Sequence, residues 1–119
     1  MARFRLARRA RADLVHILAT SEHRWGIETR RRYAAMLSAA MRKVATDPVG
    51  LMTRERTELS SGIRSFHVRH AGSDQPDSNV KNPVHILYYR PIRPGLIEIV
   101  RLLHERMEPS RHLGPGSEL

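Results

Sequence analysis

Apolar residues recur along the chain with two different periods, and the change from one to the other divides it. Ala10, Leu14, Ile17, Leu18 and Trp25 fall on one stripe of an α-helix, which Gly26 ends. Tyr33, Leu37, Ala40, Met41 and Val44 repeat the same spacing and stop at Asp47-Pro48, where proline terminates a helix. Two helices joined by a turn this short lie antiparallel, as a helical hairpin. Before them, "RFRL" at Arg3 to Leu6 alternates basic and apolar residues as a half-buried edge strand does.

After the hairpin the period shortens to two. Residues Val49 to Gly62 show no clean periodicity and read as a loop with room for one helical turn. "IRSFHVRH" (Ile63 to His70) then alternates, with Phe66 and Val68 on one face. "VHILYYR" (Val84 to Arg90) and "LIEIVRLLH" (Leu96 to His104) are rich in β-branched and aromatic residues, and "RPG" at Arg93 to Gly95 turns one into the other. The last of these is apolar nearly throughout, which predicts an interior strand. The pattern gives an α+β domain, an N-terminal edge strand and a two-helix hairpin packed on a small antiparallel sheet of three or four strands. The polar run Ala71 to Pro83 reads as a solvated hairpin loop, and residues 114–119 as a flexible tail after a single domain of residues 1–113.

At 119 residues the chain buries roughly two thirds of its unfolded surface, which suggests one two-layer core. Cysteine is absent, so disulfides and thiolate metal sites are excluded. The basic start resembles a signal peptide, but Asp13 and His16 interrupt its apolar run and no small-x-small cleavage site follows. With no stretch near the roughly 20 apolar residues that span a bilayer, a cytoplasmic protein without membrane contact is expected. Net charge is +9, and residues 1 to 43 hold 11 basic against 3 acidic side chains. Nearly all of the basic residues are arginine, suited to bidentate recognition of carboxylate or phosphate. An anionic partner and a merely well-solvated surface are both compatible with this.

The chemistry-bearing residues are histidine and arginine. The seven histidines form no metal-ligand pair with a carboxylate on one helical face, and His67 and His70 point to opposite faces of a continuous strand. No metal or cofactor is expected. Phosphate-cradling glycine loops and a nucleophile elbow are also missing. Arg64, Arg90, Arg101 and His104 lie near strand ends, where neighbouring strands can gather them as in a metal-free ribonuclease, arginine stabilising a phosphorane and histidine moving protons. The competing reading pairs Arg64 and Arg101 with Glu98 or with backbone carbonyls. Plain nucleic-acid binding ranks below both, because aromatics are too few for a stacking platform.

Taken together, Asp13-Leu14, Trp25-Gly26, Tyr33, Pro48, Gly50, "GIRSF" (Gly62 to Phe66), "HILYYR" (His85 to Arg90) and "EIVRLLHERMEPSRHL" (Glu98 to Leu113) resemble the ParE toxins of the RelE/ParE superfamily, over about Ala2 to Leu113. The resemblance implies a type II toxin that inhibits DNA gyrase by binding, wrapped by a ParD-like antitoxin through which alone operator DNA is bound. RelE relatives instead cut messenger RNA in the ribosome, and their last strand typically ends in a catalytic basic or aromatic residue. Here His104 is followed by Glu105, with no Tyr or Phe after Tyr89. A non-enzymatic inhibitor is therefore favoured, the alternative being a RelE-type endonuclease using Arg64, Arg101 and His104. On this reading the antitoxin's apolar face meets Leu14, Ile17, Leu18, Trp25, Tyr33 and Leu37, and its acidic residues meet Arg8, Arg9, Arg30 and Arg31. The target meets a basic C-terminal hook of Arg101, His104, Arg106, Met107, Arg111 and His112, unless Met107 and Leu113 pin that hook back onto the helices.

Overall fold

The computed structural model describes residues 2–71 and 83–113. The expected loop at Ala71 to Pro83, apart from its two end residues, and the tail 114–119 lie outside them. The chain forms β1 (Arg3–Leu6), α1 (Arg8–Trp25), α2 (Ile27–Thr46), β2 (Arg54–Glu55), β3 (Arg64–His67), a 3-10 turn (Val68–His70), β4 (His85–Arg93), β5 (Leu96–His104) and α3 (Ser110–Leu113). The helical hairpin and the α+β class are as the periodicity predicts. Gly26 closes α1 at φ 91°, a conformation that L side chains rarely adopt, and its N–H donates to the Glu22 carbonyl.

The sheet has five strands in the order β1-β5-β4-β3-β2. Two details differ from the expected antiparallel meander. β1 joins its edge parallel to β5, with Arg3 opposite Leu96 and Leu6 opposite Ile99. At the other edge, β2 adds two exposed residues paired with Arg64 and Ser65, inside the stretch read as a loop. A strand exposed on both faces carries no apolar alternation.

A second difference concerns the core. Leu87 and Tyr89 of β4 pack under the helices with Leu37, Ala40, Met41, Phe66, Ile97, Ile99 and Leu102. Ile86 and Tyr88, on the other face of that strand, join Val100, Leu103, Leu59, Ile63 and Leu113. The single two-layer core is therefore corrected to two cores, one on each side of the sheet. The unbroken apolar run of β5 follows from this: both faces are covered, and a bulge skips Val100 between the pairs Tyr89–Ile99 and Tyr88–Arg101. The strand reading of Ile63 to His70 is also corrected. It turns 3-10 at Val68, which brings the His67 and His70 rings to 6.4 Å instead of opposite faces.

Candidate protein-binding site

The arginines that neighbouring strands could gather on the sheet are each engaged by a separate partner. Arg64 donates through Nε to the Pro48 carbonyl at 3.0 Å and through Nη2 to Thr53 Oγ1 at 2.8 Å. Arg101 forms a bidentate pair with Asp13 of α1, at 2.7 and 2.9 Å. Arg90 grips Glu98, which also accepts from Arg5. The backbone-carbonyl reading thus holds for Arg64, whereas Arg101 takes Asp13 and not Glu98.

Asp13 has a second task. Beyond Ala7, whose N–H donates to the Ile99 carbonyl, β1 ends and the outer edge of β5 is left open. The Asp13 carboxylate accepts the Leu102 N–H there at 3.0 Å, so a backbone donor that would otherwise be orphaned is satisfied from the helix above. The same carboxylate is what fixes Arg101.

His104 sits at the far end of β5 with its ring 5.7 Å from that of His85, its register partner on β4. His104 Nδ1 accepts the Arg106 N–H. His85 Nδ1 is hydrogen bonded to the Tyr33 hydroxyl at 2.5 Å. Burial, reinforced by the neighbouring His104 and His67, pushes His85 down to about 4, and burial raises Tyr33 to about 12. Both are neutral near pH 7 and serve as a polar rivet between α2 and the sheet. His67 accepts the Arg69 N–H at Nδ1, and its Nε2 meets Glu105 at 2.7 Å. Among the described residues, no group of three His, Asp or Glu side chains is placed to hold a metal ion.

The residues assigned to partner binding divide by depth. Ile17, Tyr33 and Leu37 lie in the core under the helices, so their place on a binding face is corrected: they hold the hairpin to the sheet. Leu14 and Leu18 are half-buried and line an open cleft of about 510 Å³ with Val15, Ala19, Glu22, His23 and Arg30. Val15 is 65% exposed. Sequence reasoning missed Val15 and Ala19, although their i, i+4 spacing beside Leu14 and Leu18 marks a second stripe on α1. Trp25 is exposed beyond the cleft, because α1 outruns the sheet its stripe packs on. Arg8 and Arg9 are exposed at the start of α1; Arg30 pairs with Glu22 and Arg31 with Glu28. Such exposed pairs are worth little and exchange readily for an incoming carboxylate.

In the hook, Arg101 points inward to Asp13, His104 and His112 are half-buried, and Arg106, Met107 and Arg111 are exposed. Leu113 is buried, on the sheet face opposite the helices. The pinning reading is corrected accordingly: Leu113 anchors the segment to the second core and not to the helices, while Met107 is exposed and belongs to neither core cluster among the described residues.

The geometry thus comprises a helical hairpin on a small sheet, an apolar cleft on α1, a strongly cationic chain, and Arg64, Arg90 and Arg101 each engaged by a different partner. The family model for the "ParE toxin of type II toxin-antitoxin system, parDE" matches residues 4–109. The chain is 33% identical to "Toxin ParE1" of Caulobacter vibrioides over 119 aligned residues, covering 93% of this chain and 97% of that one. It is 32% identical over 111 residues to "Toxin ParE1" of Mycobacterium tuberculosis, with the same coverages. Among solved structures, a chain of the "Chromosomal ParDE TA system from P. aeruginosa" superposes with a TM-score of 0.62 at 16% identity, over 87% of this chain and 96% of that one. This chain belongs to the ParE toxin family of type II toxin–antitoxin systems.

Proposed function

We propose that this toxin inhibits DNA gyrase by binding it, and that a ParD-like antitoxin neutralises the toxin by laying an amphipathic helix into the α1 cleft. The observation that carries the binding reading is the separate engagement of Arg64, Arg90 and Arg101, so that these three cations do not converge on a site for a phosphorane. In the complex, the antitoxin's apolar face covers Leu14, Val15, Leu18 and Ala19. Its carboxylates replace the weak surface pairs of Arg30 and Arg31 and approach Arg8 and Arg9. The exposed hook residues Arg106, Met107 and Arg111, flanked by His104 and His112, face the target.

The test is a gyrase reaction with antitoxin-free protein, supercoiled plasmid and ATP, denatured and run on a gel. Linear DNA that requires both proteins and disappears with antitoxin is the expected result. Intact plasmid in the presence of folded toxin overturns the gyrase reading. Ribosome-dependent messenger RNA cleavage lost on substitution of Arg64, Arg101 or His104 establishes the endonuclease instead.

A further inference from the structure

Among the described residues, none at the tip of the hairpin is buried. The last buried residue of α1 is Ser21 and the first of α2 is Tyr33, which already reaches the start of β4 through His85. Residues 22 to 32 lie between these two positions and none is buried, yet they stay helical on both sides of Gly26. Local bonds hold them. The Gly26 N–H donates to the Glu22 carbonyl at 2.8 Å, the Arg30 N–H to the Gly26 carbonyl at 3.2 Å, and Arg30 pairs with Glu22 at 2.8 Å.

This stiff tip presents Trp25, 63% exposed, and Ile27, 69% exposed. The Arg24 guanidinium lies 5.8 Å from the indole centroid, and neither Arg24 nor Arg32 has an acidic partner among the described residues. Leaving a tryptophan and an isoleucine in water contributes nothing to folding. Tryptophan and arginine are the residues that dominate interface energetics, above all when a rigid element presents them without ordering cost.

We propose that the hairpin tip is the docking point for the toxin's protein target: an acidic surface whose apolar pocket takes the Trp25 indole while Arg24 and Arg32 meet its carboxylates. This rests on the reading that the chain acts by binding gyrase. The α1 cleft takes in Glu22, His23 and Arg30 at the base of the tip but stops short of Trp25 and Ile27, so those two side chains lie outside the cleft assigned to the antitoxin helix. His104, from which the hook departs, is the register partner of His85. The exposed Arg106 and Met107 therefore begin at the end of the sheet from which the hairpin projects. A partner there can touch both. Bare nucleic acid fits less well, because Arg24 already stands over the indole and Ile27 offers an apolar contact that a phosphate backbone does not use.

Trp25 is the chain's single tryptophan, so a fluorotryptophan-labelled toxin gives one fluorine resonance that reports on the tip. On adding gyrase, that resonance is expected to move and lose its sensitivity to solvent deuteration. Trp25→Ala is expected to weaken gyrase binding roughly 30-fold, and Arg24→Glu combined with Arg32→Glu to weaken it further, with circular dichroism unchanged. Gyrase that binds wild type and Trp25→Ala equally, with an unmoved resonance, overturns the proposal and leaves the gyrase reading intact. A resonance already protected by antitoxin alone returns the tip to the antitoxin interface, and one protected by duplex DNA alone makes it a nucleic-acid contact; either overturns the proposal. Wild-type toxin that does not bind gyrase at all removes the gyrase reading and the tip's role in it together.

Discussion

Asp13 satisfies three donors with one carboxylate, two from Arg101 and one from the Leu102 backbone, at a place where only 16% of its side chain is exposed. Asp13→Ala leaves a guanidinium and an amide without partners, and breaking a buried pair on one side costs about 3 kcal/mol. Urea denaturation should show that loss. The double variant Asp13→Ala, Arg101→Met is expected to recover part of it, because the orphaned charge is then gone. His85 makes a second prediction. Its folded pKa of about 4 lies below the unfolded value near 6.5, so protonation favours the unfolded chain. Its contribution is complete above pH 6.5 and is lost as pH falls toward 4, by about 3 kcal/mol at most. Denaturant midpoints across this range, compared with those of His85→Gln, check it: the variant should show a flatter acid limb.

At the scale of elements, the hairpin, β3, β4 and β5 were legible because each carries an apolar period that one buried face imposes. β2 was not, since a two-residue edge strand has no buried face to write into the sequence. The hook was legible as a polar segment that Leu113 could pin, but not the face it is pinned to: a lone apolar residue does not say which side of a sheet it covers, and Leu113 joins the second core and not the helices. The partner of Arg101 was not legible for a related reason. Strand ends say which residues can meet, whereas Asp13, far from Arg101 in sequence, decides what Arg101 does meet. The anchor gives a prediction. Leu113→Ala should cost about 3 kcal/mol through the cavity left among Leu59, Ile63, Val100 and Leu103. Arg106→Ala and Arg111→Ala should leave the thermal midpoint unchanged.

For the molecule as a whole, charge and apolar surface are complementary means of recognition. The cationic surplus of the first 43 residues borders a cleft that offers side chains such as Val15 to a helix. Antitoxin affinity is therefore expected to respond to two independent changes. Raising salt from about 0.1 to 0.5 M shortens the Debye length and should weaken binding about tenfold, an effect that Arg8→Glu with Arg31→Glu should reproduce at low salt. Val15→Asp should weaken binding by a similar factor with its salt dependence preserved. Titration calorimetry at two salt concentrations separates them, and affinity indifferent to both salt and charge reversal would reject the electrostatic half.

The partnership of β1 with β5 also sets an order of events. Arg5 and Glu98, joined by a 3.1 Å ion pair, are separated by 93 positions, and Phe4 and Leu6 pack against a core to which β5 contributes Ile97, Ile99 and Leu102. While the ribosome is still making the chain, the first strand has no strand to pair with until nearly everything else has emerged, and loop closure over that distance is slow. The helical hairpin can form early, but it remains unseated. A chain cut short before β5 thus lacks both the partner of β1 and the strand that supplies Ile97, Ile99 and Leu102 to the core beneath the hairpin.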